Sequence, residues 1–255
     1  YESGHDPARL VLLARLPVVA WSVATGLVVF LVARRLFGRG AARVSLTLFA
    51  LHPLALAHGH LATADAAFAL VATSCAWLFS RCLHRLDART LAASALALGA
   101  AFVTKVSALL LPAVLAAIAF AWLLSRAPWP VAWRGGRELR SLRARLAALA
   151  LVGVAHLAAV VAVAWLANGL RYSAFRSASG ELKEGGWEAH AGAGALEPLL
   201  ATARRHELMP EAWLYGFQYT LHRARARPAF ALGQWSETGW WWFFPVALAL
   251  KTPLA

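Results

Sequence analysis

The segment His58-Gly59-His60-Leu61-Ala62-Thr63-Ala64-Asp65 places two imidazoles and a carboxylate between two apolar runs. An ionisable residue at such a boundary costs free energy unless it faces a watery cavity or a partner. A carboxylate there can orient an acceptor or take its proton, and an imidazole can donate to a phosphate. The structural alternative for Thr63 or Asp65 is to cap the helix that follows, where an acid also suits the helix dipole. For His58 and His60 it is simple residence at an interface. A His-x-His pair also suits zinc, but no third ligand stands with it. No metal is therefore assigned, and a divalent cation is the one cofactor alternative. Lys105 stands at a tight turn, where it can hold an anionic head group or snorkel from a helix end. Glu237 and Lys251 flank the Trp240-Trp241-Trp242 cluster, and Glu237 joins the substrate-binding candidates. Lys251 lies in an apolar run just before Pro253 and needs a partner or a helix end. Cys75 and Cys82 are seven residues apart, about 10 Å along a helix. That is too far for a disulfide, so both read as packing residues.

The elements that hold these groups are membrane helices. The chain has 255 residues, of which 60% are hydrophobic and 15% charged, with a mean hydropathy of +0.59. A soluble domain carries about 25% charged residues. The net charge is +13, but it sits in short clusters between apolar runs. That is the pattern of membrane loops and not of a nucleic-acid face. Apolar segments run over Leu10–Ala33, Val44–Ala62, Ala66–Leu83, Leu91–Val103, Val106–Leu124 and Leu146–Ala167, and a seventh starts at Trp240. A span needs about 20 apolar residues. The chain starts at Tyr1 and stops inside an apolar run, so it reads as a segment of a longer protein.

The run Leu91–Leu124 would be about 51 Å long as one helix, against a bilayer core of about 30 Å. A hairpin is expected instead. It puts 13 arginines on one side, in the clusters Arg34–Arg43, Arg81–Arg89 and Arg126–Arg145. The turns at His58–Asp65 and Thr104–Ser107 on the other side hold only Lys105. The positive-inside rule makes the arginine side cytoplasmic. The division expected is a six-span bundle over 1–167, an extracytoplasmic loop over 168–239, and a seventh span starting at 240. Acids of that loop include Glu181, Glu184, Glu188, Glu197, Glu207 and Glu211. Apolar spacing over Glu207–Arg227 predicts an interfacial helix, and the three tryptophans fit an interfacial belt.

Several blocks together resemble the dolichyl-phosphate-mannose protein mannosyltransferase type of the GT-C superfamily of glycosyltransferases. They are Arg34-Arg35-Leu36-Phe37-Gly38, the His58–Asp65 segment, Thr104-Lys105-Val106-Ser107-Ala108-Leu109, and Gly233–Pro245 followed by Leu250-Lys251-Thr252-Pro253-Leu254. They stand in the family's order from about Arg15 to Ala255. The resemblance implies an all-α polytopic helical bundle with its site on the outer face. It implies transfer of a sugar from a polyprenyl-phosphate carrier to a hydroxyl of a protein or lipid acceptor, usually with inversion. The implied setting is multi-pass in a bacterial cytoplasmic membrane, among membrane lipids and without nucleic acid. Asp65 aligns with the family's acid at the end of its third span, and Lys105 with a basic turn near the carrier phosphate. The family's leading carboxylate lies in an earlier outer loop, of which Glu2 and Asp6 are only the tail, so this segment is expected to be inactive alone. Two other readings remain. One is a transporter or lipid flippase, against which stand the absence of an inverted repeat and of paired broken helices. The other is a non-catalytic assembly subunit.

Overall fold

The structure is a computed structural model that describes residues 6–125, 127–133, 136–174, 187, 196–224 and 228–251. It divides into two compact units, Tyr1–Ala164 and Trp165–Ala255.

In the first unit, α1 spans Pro7–Leu51. Asp6 caps it by accepting from Ala8 N–H at 3.0 Å. The helix is doubled back at Gly38, whose φ of 90° and ψ of −177° belong to a region open essentially to glycine alone. The two arms pack on each other. A β-carbon on Gly26 would meet Leu46 and Phe49 at 3.3 Å. The second arm was expected to run on to Ala62. It stops at His52 because Pro53 has no N–H and holds the preceding residue extended. Pro53 then starts α2, Pro53–His58, and the His52 ring accepts from Leu54 N–H at 3.2 Å as its cap.

α3 (Asp65–His84) and α4 (Ala88–Thr104) form an antiparallel pair. Lys105 is extended and ends α4. A 3-10 turn over Val106–Leu110 then leads into α5, Leu111–Leu124. α5 returns to the arginine end, where Trp122 meets Trp129 at 4.9 Å. A two-stranded hairpin follows, β1 (Trp129–Val131) paired with β2 (Arg137–Leu139). Then comes α6, Leu142–Ala167. The hairpin plugs the end of α3. The fully buried Trp129 donates its indole N–H to the Cys82 carbonyl at 2.7 Å, and Leu86 exchanges two backbone bonds with Pro130 and Ala132. The buried Arg145 donates to the Leu139 carbonyl at 3.1 Å and lies over Trp122.

α6 crosses α4 so closely at Gly99 that a β-carbon there would sit 2.8 Å from Val163 and 2.9 Å from the Ala159 carbonyl. One turn away a polar clip joins them, with Ser94 Oγ and His156 Nε2 2.9 Å apart. Cys75 and Cys82 are buried free thiols in the apolar core that α3, α4, α5 and α6 share.

Among the described residues, four helices are long and apolar enough to cross a membrane: Pro7–Leu51, Asp65–His84, Val106–Leu124 and Leu142–Ala167. The expectation of seven is therefore not met as counted. The first two segments are the two arms of α1 and count there as a single helix, α4 has 17 residues, and the last helix has nine.

The second unit contains α7 (Glu197–Arg205), α8 (Glu211–Arg223), a hairpin of β3 (Ala229–Ala231) with β4 (Gln234–Ser236), and α9 (Phe243–Lys251). The helix expected from Glu207 starts later, because Glu207 takes φ of 51° and Pro210 precedes the first turn. Glu211 is buried and accepts from the Trp187 indole at 3.1 Å and from Ala174 N–H at 3.0 Å. Trp240 stacks on Trp242 ahead of α9, not within it. Glu2, Glu181, Glu184 and Glu188 lie outside the described residues, as does the side chain of Lys251.

Candidate active site

Asp65 opens α3, and Lys105 closes α4, the helix packed beside it. Antiparallel pairing brings these two ends together although 40 residues separate them. The Lys105 ammonium donates to Asp65 Oδ1. His58, in the last turn of α2, sets its Nδ1 3.9 Å from the other carboxylate oxygen. The three side chains are 41%, 39% and 49% exposed respectively, so the group is wet enough to admit a ligand.

Neither capping expectation holds. The N-cap of α3 is Ala64, and no side chain caps it. The Asp65 carboxylate is turned to Lys105, leaving only its favourable place in the first turn of the helix dipole. His60 is directed away from Asp65. Its Nδ1–H donates to the Leu56 carbonyl at 2.8 Å, back along α2.

Behind His58 and Asp65 lies a cleft of about 490 Å³ between the two arms of α1, α2 and α3. Its walls are mostly apolar, with Leu48, Phe49 and Leu54 among them, and its polar spots are Ser22, Thr25 and His52. Gly59 is needed at the rim. A β-carbon there would come within 2.6 Å of the Ala55 carbonyl and 3.0 Å of Ser22 Oγ. Composition and spacing did not point to Ser22, Thr25 or His52. Ser22 and Thr25 sit in an unbroken apolar run, and His52 lies inside the run Val44–Ala62 that was read as one segment. An apolar slot with a few polar groups at one end suits an amphiphile.

Glu237 follows β4 in the second unit and is exposed. Among the described residues, no three of His, Cys, Asp and Glu are grouped to hold a metal ion.

The family model described as dolichyl-phosphate-mannose-protein mannosyltransferase matches residues 11–165. The match takes in both arms of α1, the cleft, Asp65, Lys105 and nearly all of α6. No curated protein and no solved structure matches the chain. With the model covering more than half of its length, the chain belongs to the dolichyl-phosphate-mannose-protein mannosyltransferase family.

Proposed function

We propose that this chain carries part of the active site of a membrane glycosyltransferase that moves a sugar from a polyprenyl-phosphate carrier to an acceptor hydroxyl. The observation that carries the reading is the Lys105–Asp65–His58 group at the mouth of an apolar cleft. The cleft takes the first part of the prenyl chain. Lys105, with His58 beside it, meets the phosphate and stabilises the charge that grows on it as the carbon–oxygen bond to the sugar breaks. Asp65 holds the acceptor hydroxyl or takes its proton as the oxygen attacks the anomeric carbon from the opposite face. Attack opposite to the departing phosphate inverts that carbon. The products are the glycosylated acceptor and the polyprenyl phosphate.

The Asp65 end faces outward and the arginine end faces the cytoplasm, by the uneven placement of arginine. In the ligand-free state Lys105 neutralises Asp65. An arriving phosphate competes for the ammonium and releases the carboxylate to act on the acceptor.

The test is transfer by the full-length protein in native membranes. Labelled sugar is supplied as a polyprenyl-phosphate ester or as a nucleotide sugar to membranes depleted of carrier lipid. Transfer from the lipid ester alone supports the reading. Transfer that requires the nucleotide sugar overturns it, and so does movement of the lipid across the bilayer with no transfer.

A further inference from the structure

The opposite end of the bundle holds a second constellation that the sugar-transfer reading does not use. α3 carries it about 30 Å from Asp65, by 20 residues of helical rise. A cavity of about 610 Å³ opens there between the first arm of α1, α3 and the start of α4. It is lined by Arg35, Arg81 and Arg85, together with Trp77. A second cavity of about 520 Å³ shares Arg81 and Arg85 and adds Arg89 and Trp133. Ion pairs join Asp65 with Lys105 and His58, and Glu138 with Arg140. None of the four cavity arginines belongs to these pairs.

The acid in the wall, Asp87, offsets part of this charge and acts on Arg85, which leaves the cavity net positive. Its two oxygens accept from Thr90 N–H at 2.9 Å and from Thr90 Oγ1 at 2.7 Å, as the cap of α4. The floor is rigid, because the β1–β2 plug is bonded to Leu86 and Cys82 between these arginines. The Arg81 guanidinium lies 5.6 Å from the Trp77 ring centroid, which limits its reorientation.

We propose that this end binds a phosphate-ester anion, presented by the headgroup of an acidic phospholipid. Guanidinium forks match phosphate oxygens in geometry and charge, and basic pockets between membrane helices take acidic headgroups. The lipid source follows from position. The pocket sits one bilayer thickness from the Asp65 end. Beside Arg35, Leu36 and Phe37 are 65% and 76% exposed, where acyl chains can lie. Trp77 and Trp133 sit at the level where interfacial aromatics gather.

The test uses the full-length protein in neutral detergent, titrated with phosphatidylglycerol or phosphatidylcholine. Native mass spectrometry counts retained lipid, and thermal shift reports stabilisation. Phosphatidylglycerol is expected to be retained and to raise Tm, and phosphatidylcholine is not. A triple variant, Arg35→Gln, Arg81→Gln and Arg85→Gln, is expected to weaken retention about 100-fold, at roughly fivefold per charge. Arg35→Gln alone gives the fivefold loss at an exposed position, should the triple variant fold poorly. A control with Arg137→Gln and Arg143→Gln removes two charges from the same end outside the cavities and is expected to keep full retention. Equal loss in control and cavity variants overturns the site in favour of diffuse surface charge. Equal stabilisation by soluble glycerol phosphate overturns the lipid source and leaves a soluble phosphate ester as the ligand.

Discussion

Lys105, the extended residue that ends α4, donates its ammonium to the carboxylate of Asp65, the first residue of α3. Two helix ends 40 residues apart in sequence thus share one charge pair at the mouth of the cleft. A pair this exposed contributes about 0–1 kcal/mol to stability. Its removal should therefore be nearly silent in folding, and a large effect on transfer would report chemistry.

Asp65→Asn keeps the size of the side chain and one acceptor oxygen. In the full-length protein we expect Tm to move little and transfer to fall on the order of 10²–10⁴-fold if the carboxylate is the base. Initial rates with a polyprenyl-phosphate sugar, set beside thermal shift, give the answer. A well-folded variant with near-normal turnover removes Asp65 from the mechanism.

Lys105→Ala should raise KM for the lipid-phosphate donor more than for the acceptor, since the lost contact is to the phosphate. Lys105→Arg should recover part of the loss, because the charge is kept and the shape is not. Donor kinetics unchanged in Lys105→Ala would reduce the residue to a structural partner of Asp65.

The sidedness of the chain is open to a direct test. A reporter fused after Arg140 should read cytoplasmic, and one fused near Gly194 should read external, because 13 arginines fall in the three connections that the hairpin reading puts on one side. Both reporters on one side would overturn the proposed orientation and the path of α6.

Gly99 marks the closest approach of α4 and α6. Gly99→Val would put side-chain carbon where Val163 and the Ala159 carbonyl already lie within 3 Å. Overpacking of this kind costs about 1–3 kcal/mol. It should also pull Ser94 from His156. A lower Tm is expected, while Gly153→Ala, at a helical position with open space around it, should hold or slightly raise Tm. Equal behaviour of the two variants would show that the contact is not tight.

The meeting of Asp65 with Lys105 was legible in outline, because charge placement and span length together required a hairpin between α4 and α5, which brings both residues to one end. The polar groups in the wall of the cleft were not legible. Thr25 satisfies itself locally by donating to the Trp21 carbonyl at 2.8 Å, and Ser22 donates to the Gly59 carbonyl at 3.4 Å, 37 residues away, so nothing in their sequence neighbours marks either. The Ser94–His156 clip was equally hidden, since it joins residues 62 apart on two apolar helices. Glu211 reads as one more surface acid in an acidic stretch. Only the fold reveals that Trp187 and Ala174 hold it buried. Glu237 was singled out by its nearness in sequence to the tryptophan cluster, and it is exposed after β4.

The reversal at Gly38 bears on how the protein is made. A single residue turns the chain, with no loop to span, so the arms of α1 cannot be threaded into the bilayer one after the other. We expect them to enter together as a hairpin, with Leu46 and Phe49 seated on Gly26 as in the folded chain. The tip of that hairpin carries Arg34, Arg35, Arg39 and Arg43, all within five residues of Gly38. Four fixed charges there make translocation of the tip prohibitively costly. The hairpin is thus a wedge with a stop at its point.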